Sequence, residues 1–194
     1  LYQKMNDNFI ENRTFKGKDY TLNGFPKGEY DNCTFINCNF SNLHLSNNEF
    51  VECNFEDCNF SNSNIKNTSF KEVIFSMCKL VGLNFSECNP FLLAFSFNNC
   101  LLNLASFYQL KLKNTKFINC NLQETDFDKA DLSNTILDNC DLKRAIFKNT
   151  NLEKADFRTS YNYSINPETN NIKNAKFSLN GIAGLLEKYN ISIE

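Results

Sequence analysis

Tryptophan is absent from this 194-residue chain, histidine occurs once, and glycine and proline number only six and three. With 42 % apolar residues, so little glycine and proline excludes a low-complexity chain unable to bury enough surface to offset its conformational entropy. The lone histidine, His44, leaves any Ser-His-Asp or Cys-His catalysis resting on one side chain with no nameable partner. No run approaches the ~20 apolar residues of a membrane-spanning helix. No basic segment leading into an apolar run marks a secretory leader. Met5 is a candidate natural start, with Leu1 to Lys4 an added remnant. Neither a GxGxxG turn nor a P-loop occurs. A net charge of −2 and an isoelectric point near 5.6 supply no general attraction to nucleic-acid phosphates.

Phenylalanine, in contrast, occurs 20 times. Every fifth position from Phe15 to Phe85 is apolar, passing through Tyr20, Phe35, Leu45 and Ile65. Position 90 is proline and the beat stops; it restarts two residues out of phase at Phe97 and runs unbroken to Phe157. The flanking positions are mostly Asn, Asp, Ser, Lys and Glu. On an α-helix five residues turn the chain by about 500°, which scatters the apolar side chains around the axis. On a flat strand an odd period sends them to alternate faces. A short extended piece, a corner and a repeat point them all one way, and four such pieces close a square coil of 20 residues.

Cys38-Asn39-Phe40-Ser41-Asn42, Cys53-Asn54-Phe55-Glu56-Asp57 and Ala130-Asp131-Leu132-Ser133-Asn134 carry the pattern of a small residue, Asp or Asn, Leu or Phe, and two variable positions. In this the chain resembles the pentapeptide-repeat family over residues 15 to 157. The fold this implies is all-β: a right-handed quadrilateral parallel β-helix of about seven coils, roughly 34 Å long at ~4.8 Å per coil. Each buried ring then contributes roughly 1.5–3 kcal/mol.

Nine cysteines invite a metal or disulfide reading, but each lies two residues before a beat position: Cys33, Cys38, Cys53, Cys58, Cys78 and Cys88 in the first run, Cys100, Cys120 and Cys140 in the second. That is a small inward slot, and spacings of 20 stack Cys38, Cys58 and Cys78 on one another, as they do Cys100, Cys120 and Cys140. Without CxxC pairs or a second histidine no zinc site is expected, no cofactor is expected, and free buried thiols fit the cytoplasm. Asp126, Asp131, Asp141 and Asp156 precede a beat position by one, where a carboxylate can bond the nearby backbone at the corner. His44 falls in the same outward slot and is expected at the surface.

The chain therefore divides into a lead-in or cap (1–14), a first stack (15–85), an interruption (86–96), a second stack (97–157) and a C-terminal module (158–194). The interruption around Asn89, Pro90, Phe91 and Leu92 is either a bulge tucked against the shaft or a protruding loop that meets a partner. Beyond Phe157 the repeats end. Ser160 to Asn171 read as a loop with a turn at Asn166-Pro167, and Ala175 to Phe177 as extended. Ser178 or Asn180 is expected to cap a helix running to about Tyr189. Ile182, Leu185, Leu186 and Tyr189 would form its apolar face, with Ile191 and Ile193 alternating in a last short strand. This module either caps the open shaft end or caps it and also pairs two copies through Ile182, Leu185, Leu186, Tyr189, Ile191 and Ile193.

The layout resembles the Qnr-type fluoroquinolone-resistance and microcin immunity branch of the family. That resemblance implies a non-catalytic homodimeric rod that mimics DNA in DNA gyrase or topoisomerase IV and protects it from quinolones or toxins. Charge counts do not announce such a mimic: residues 1–90 carry 8 Lys/Arg and 11 Asp/Glu, residues 91–194 carry 12 and 11. A local strip with Asp131, Asp138 and Asp156 is one way to build it. The alternative from the same residues is a generic protein-binding scaffold with an unrelated partner. Neither reading involves direct contact with nucleic acid or a membrane.

Overall fold

The computed structural model describes residues 8–192; Met5 and Ile193 lie outside them. The chain winds into a right-handed four-sided parallel β-solenoid. Short strands mark two of its faces: β1 (Asn8–Glu11), β2 (Thr14–Lys16), β3 (Gly28–Asp31), β4 (Thr34–Ile36), β5 (Glu49–Val51), β6 (Asn54–Glu56), β7 (Ser69–Lys71), β8 (Val73–Ser76), β9 (Phe95–Asn98), β10 (Lys116–Ile118) and β11 (Ile136–Asp138). Seven of them stack as one parallel sheet, ordered β11-β10-β9-β8-β6-β4-β2, which we call face one; β1-β3-β5-β7 form face four. Faces two and three, between them, are tied by single parallel bridges such as Asn39↔Asn59 and Asn84↔Ser106.

Register follows the 20-residue coil: Phe15, Phe35, Phe55 and Phe75 lie directly over one another. Their rings stack nearly parallel, with centroids 4.8 Å apart for Phe35–Phe55 and 5.2 Å for Phe55–Phe75. Parallel rings follow from the coil itself, because a repeat of 20 gives each aromatic the same backbone direction one rise above the last. The centres from Tyr30 to Phe157 are buried, with Pro90 the exception. Coiling begins at β1, inside the lead-in, and passes beyond Phe157, where Asn171 bridges Asn151 and Lys176 bridges Asp156. Ile172 and Phe177 return to the beat, and Phe177 stacks on Phe157 at 5.4 Å.

Most corners turn through one residue in the left-handed region, two positions after the centre, with φ between 47° and 68° from Asn32 to Lys154. Asn holds most of these corners because it tolerates that conformation at little cost. Charged residues such as Glu52, Glu72, Lys129 and Lys154 occupy others, and Met77, Leu104 and Gln109 are uncharged exceptions.

The C-terminal module departs from the expected helix and strand. Leu179–Leu185 and Glu187–Tyr189 are 3-10 helices, not one α-helix. Ser178 does cap the first, accepting from the Gly181 amide. The tight winding has a local cause: a Cβ on Gly181 would fall 2.1 Å from Tyr163 Oη, and one on Gly184 2.2 Å from the Tyr163 carbonyl oxygen, so backbone lies directly on Tyr163. Leu185 packs on the core and Leu186 is half-buried, whereas Ile182 and Tyr189 point to solvent, so the four do not share one face. Ile191 lies outside any strand and is exposed, because Asn190 turns left-handed just before it. The last coil is covered from within the shaft by Tyr163 and Ile165, and Ile165 donates to the Gly184 carbonyl at 2.9 Å.

Candidate interaction surface

Six of the nine cysteines make one ladder, while Cys33 and Cys53 stack in another column and Cys88 stands alone beside the interruption. Coil lengthening across the interruption sets Cys100 above Cys78, as the Lys79↔Leu101 bridge requires, so Cys38, Cys58, Cys78, Cys100, Cys120 and Cys140 form a continuous column ending on Ser160. Each thiol from Cys58 to Cys100 donates to the backbone carbonyl of the centre one coil below: Cys58 to Phe35 at 3.3 Å, Cys78 to Phe55 and Cys100 to Phe75 at 3.4 Å. Ser63, Thr68, Thr125 and Ser160 do the same with hydroxyls at 2.6–2.9 Å. The slot therefore selects a small side chain with a donor. Burial pushes the Cys53 thiol up to about 12. In the column, Cys38, Cys78 and Cys120 are pushed up first by hydrogen bonds to neighbouring sulfurs and then by burial. A thiolate in this apolar shaft would be uncompensated, so the column is a packing element. Among the described residues, no group of three or more His, Cys, Asp or Glu converges to hold a metal ion.

Outward residues are equally tied. Asp126, Asp131, Asp141 and Asp156 accept from the amide two residues on, at 2.9–3.2 Å. His44 is exposed and bridges Asn64. Asp131 lies on face four, whereas Asp138 and Asp156 lie on face one, where Asp138 accepts from Thr159 and Asp156 is chelated by Arg158. The three do not form a strip.

The interruption is a bulge on face four, tied to the shaft at both ends and exposed at its tip. Its ends are stitched to the coil below: Asn89 donates to the Thr68 carbonyl and Ala94 to the Phe70 carbonyl, each at 3.0 Å, and Asn89 Nδ2 donates to Ser69 Oγ. Between these ends the backbone leaves the shaft. Asn89 Oδ1 accepts from the Phe91 amide, and Leu92 takes a left-handed corner at φ 55°. Phe91 and Leu92 are 65 % and 64 % exposed, and the Lys71 ammonium lies 5.8 Å from the Phe91 ring centroid. Of the expected contact residues, Asn89 is thus the anchor and Phe91–Leu92 the tip. Because no centre fills the shaft here, larger residues take nearby slots. Phe95 reaches Phe85 at 5.3 Å and Phe70 at 6.0 Å, and Leu110 is buried close by.

Face four also carries a charge pattern that sequence counts concealed. Glu11 registers on Asp31 and Glu29 on Glu49. Glu52 and Glu72 hold successive left-handed corners of the same face, just below the bulge. Like charges in register destabilise a sheet, and the one ammonium among them is Lys71, paired with Glu49. Past the bulge the sign changes, with Lys111, Lys113, Lys154 and Lys173 exposed on that face and only Asp131 and Glu153 opposing them. A spacing of 20 between like charges was the sequence signal that would have exposed these columns.

The geometry defines a class, the four-sided β-solenoids with five-residue sides. Within it, the pentapeptide repeat region model matches residues 28–107, 49–124, 91–166 and 110–185, so the chain belongs to the pentapeptide-repeat family. Among solved structures, QnrB1, a plasmid-mediated fluoroquinolone resistance protein, is 18 % identical; the match covers 96 % of this chain and 91 % of that one, with a TM-score of 0.55. HetL, a pentapeptide repeat protein involved in heterocyst differentiation regulation from Nostoc sp. strain PCC 7120, is 14 % identical, covering 88 % and 87 %, with a TM-score of 0.61. These likenesses concern the fold. No curated protein matches the sequence. No helix among the described residues is long and apolar enough to cross a membrane.

Proposed function

We propose that the protein works without catalysis, as a rigid rod that binds another protein through the bulge on face four. The observation that carries this is Phe91–Leu92, two large apolar side chains held in solvent by a backbone anchored on both flanks. An exposed apolar pair on a stiff support is what an interface anchor requires, and the ordered ends reduce the entropy lost on binding. In the finer reading the partner is a type II topoisomerase, DNA gyrase or topoisomerase IV, shielded from quinolones or toxins in the manner of a DNA mimic. The carboxylates of the lower half of face four support it. The lysines of the upper half favour the second reading, an unrelated protein partner. Reduced buried thiols fit a cytoplasmic setting. Ile182, Tyr189 and Ile191 give the C-terminal module apolar surface for pairing two copies end to end.

A supercoiling assay with purified gyrase and ciprofloxacin tests the finer reading. Recovery of supercoiling at increasing protein, weakened by Phe91→Asp/Leu92→Asp, is expected. No protection and no inhibition over a wide concentration range would remove the topoisomerase and leave the general binding role.

A further inference from the structure

We infer that face four is self-complementary and pairs two copies of this chain side by side and antiparallel, about a twofold axis passing through the bulge. The inference stands apart from the proposed partner and from end-to-end pairing through the C-terminal module.

Three observations meet on this face. Below the bulge the surface is carboxylate, with Glu29, Asp31, Glu49, Glu52 and Glu72 opposed by Lys71 alone. Above it the balance is ammonium, with Lys111, Lys113, Lys154 and Lys173 against Asp131 and Glu153. At the boundary stand Phe91 and Leu92, exposed at the tip of the bulge. A twofold, isologous contact requires that a patch fit its own rotated copy. Antiparallel docking about the bulge sets each acidic half on the partner's basic half and puts the two apolar tips together at the axis. Parallel docking would set carboxylate on carboxylate. The stacked like charges weaken the isolated chain, and a second copy offsets that cost. Opposite charges confer register and salt dependence, while the central apolar pair is the buried anchor. Such pairing covers Phe91 and Leu92, so a partner bound there competes with it.

The test is mass measurement by light scattering on the full chain, together with cross-linking. At about 0.05 M salt, where the screening length is roughly 14 Å, a concentration-dependent mass near twice 22.4 kDa is expected, dissociating at about 0.5 M. Lys111→Glu/Lys113→Glu should weaken pairing about tenfold or more, one charge-pair energy of about 1.4 kcal/mol. Adding Glu52→Lys/Glu72→Lys in the same chain should restore it; Lys129 and Lys154 already occupy equivalent left-handed corners, so these changes are compatible with the fold. Because every native cysteine is buried, Leu92→Cys should cross-link selectively with copper-phenanthroline as oxidant, while Leu22→Cys, at an exposed position on another part of the shaft, should not. A monomer at every concentration in low salt overturns the proposal. So does a dimer insensitive to the charge reversals, or one that cross-links equally at position 22. Circular dichroism on each variant confirms that the shaft remains folded.

Discussion

Phe75 and Phe97 stack with ring centroids 5.5 Å apart and planes 9° from parallel, although 22 residues separate them instead of the 20 that separate their neighbours on the same face. The two extra residues are absorbed on face four, so face one crosses the interruption without a break. Phe75→Ala should therefore cost about 3–5 kcal/mol, as for any core ring. Urea denaturation of the variant measures it. A loss under about 1 kcal/mol would mean that the two stacks are energetically separate.

Deleting Asn89 and Pro90 should restore the period. Cys88 would then lead into Phe91-Leu92-Leu93-Ala94, with Leu92 five residues before Phe97 and available to fill the shaft. The variant is expected to fold with a stability within about 2 kcal/mol of the parent, the left-handed corner now falling on Ala94. Its exposed apolar tip should be gone, which separates folding from binding: an intact melting transition with unchanged partner binding would exclude the bulge as the contact.

The slot rule gives a graded series at Cys100. Cys100→Ser keeps a donor toward the Phe75 carbonyl, as Ser63 and Ser160 do toward theirs, and should cost about 1 kcal/mol or less. Cys100→Ala loses both the donor and volume and should cost roughly 1–3 kcal/mol. Thermal unfolding of the pair decides; equal losses would show that the hydrogen bond contributes nothing.

Leu104 and Met77 are apolar residues at left-handed corners and largely exposed. Leu104→Asn should stabilise by about 0.5–1 kcal/mol, since a branched side chain is strained where Asn is tolerated. A lower melting temperature would instead assign Leu104 a packing role.

Stability should fall at alkaline pH. Burial raises the Cys53 thiol from 9.0 to about 12 and the Tyr20 phenol from 10.0 to about 12. Their neutral forms are favoured in the folded chain, so this stability is fully present below the unfolded value of 9.0 and is lost as pH rises toward 12. Melting curves from neutrality to about pH 11 should show the decline, and Cys53→Ser should flatten its first part. A flat profile in the parent would remove burial of these groups as a term in stability.

Much of the shaft was legible in the chain. A five-residue beat from Phe15 to Phe157 admits one geometry in which all those side chains face inward, and the cysteines fell two residues before it. The beat understated the coil at both ends. Ile10 stands five residues before Phe15 and is followed by polar residues like most centres, though Phe9 precedes it, and Ile172 and Phe177 resume the beat after two missed positions. The C-terminal apolar spacing suggested an α-helix, but close backbone contact with Tyr163 at Gly181 and Gly184 draws that segment into 3-10 turns.

By itself, then, the sequence determined the period, the inward side chains and the corner residues, because each depends on neighbours within five positions. Only the tertiary structure decided what stacks on what. It joined six of the nine cysteines into one ladder across the interruption, held Leu92 in solvent beside the acidic half of face four, and brought carboxylates 20 residues apart into register. Those relations depend on the length of each coil, a property that a count of charges or apolar residues along the chain does not contain. The physical reason is that a solenoid makes its contacts between coils.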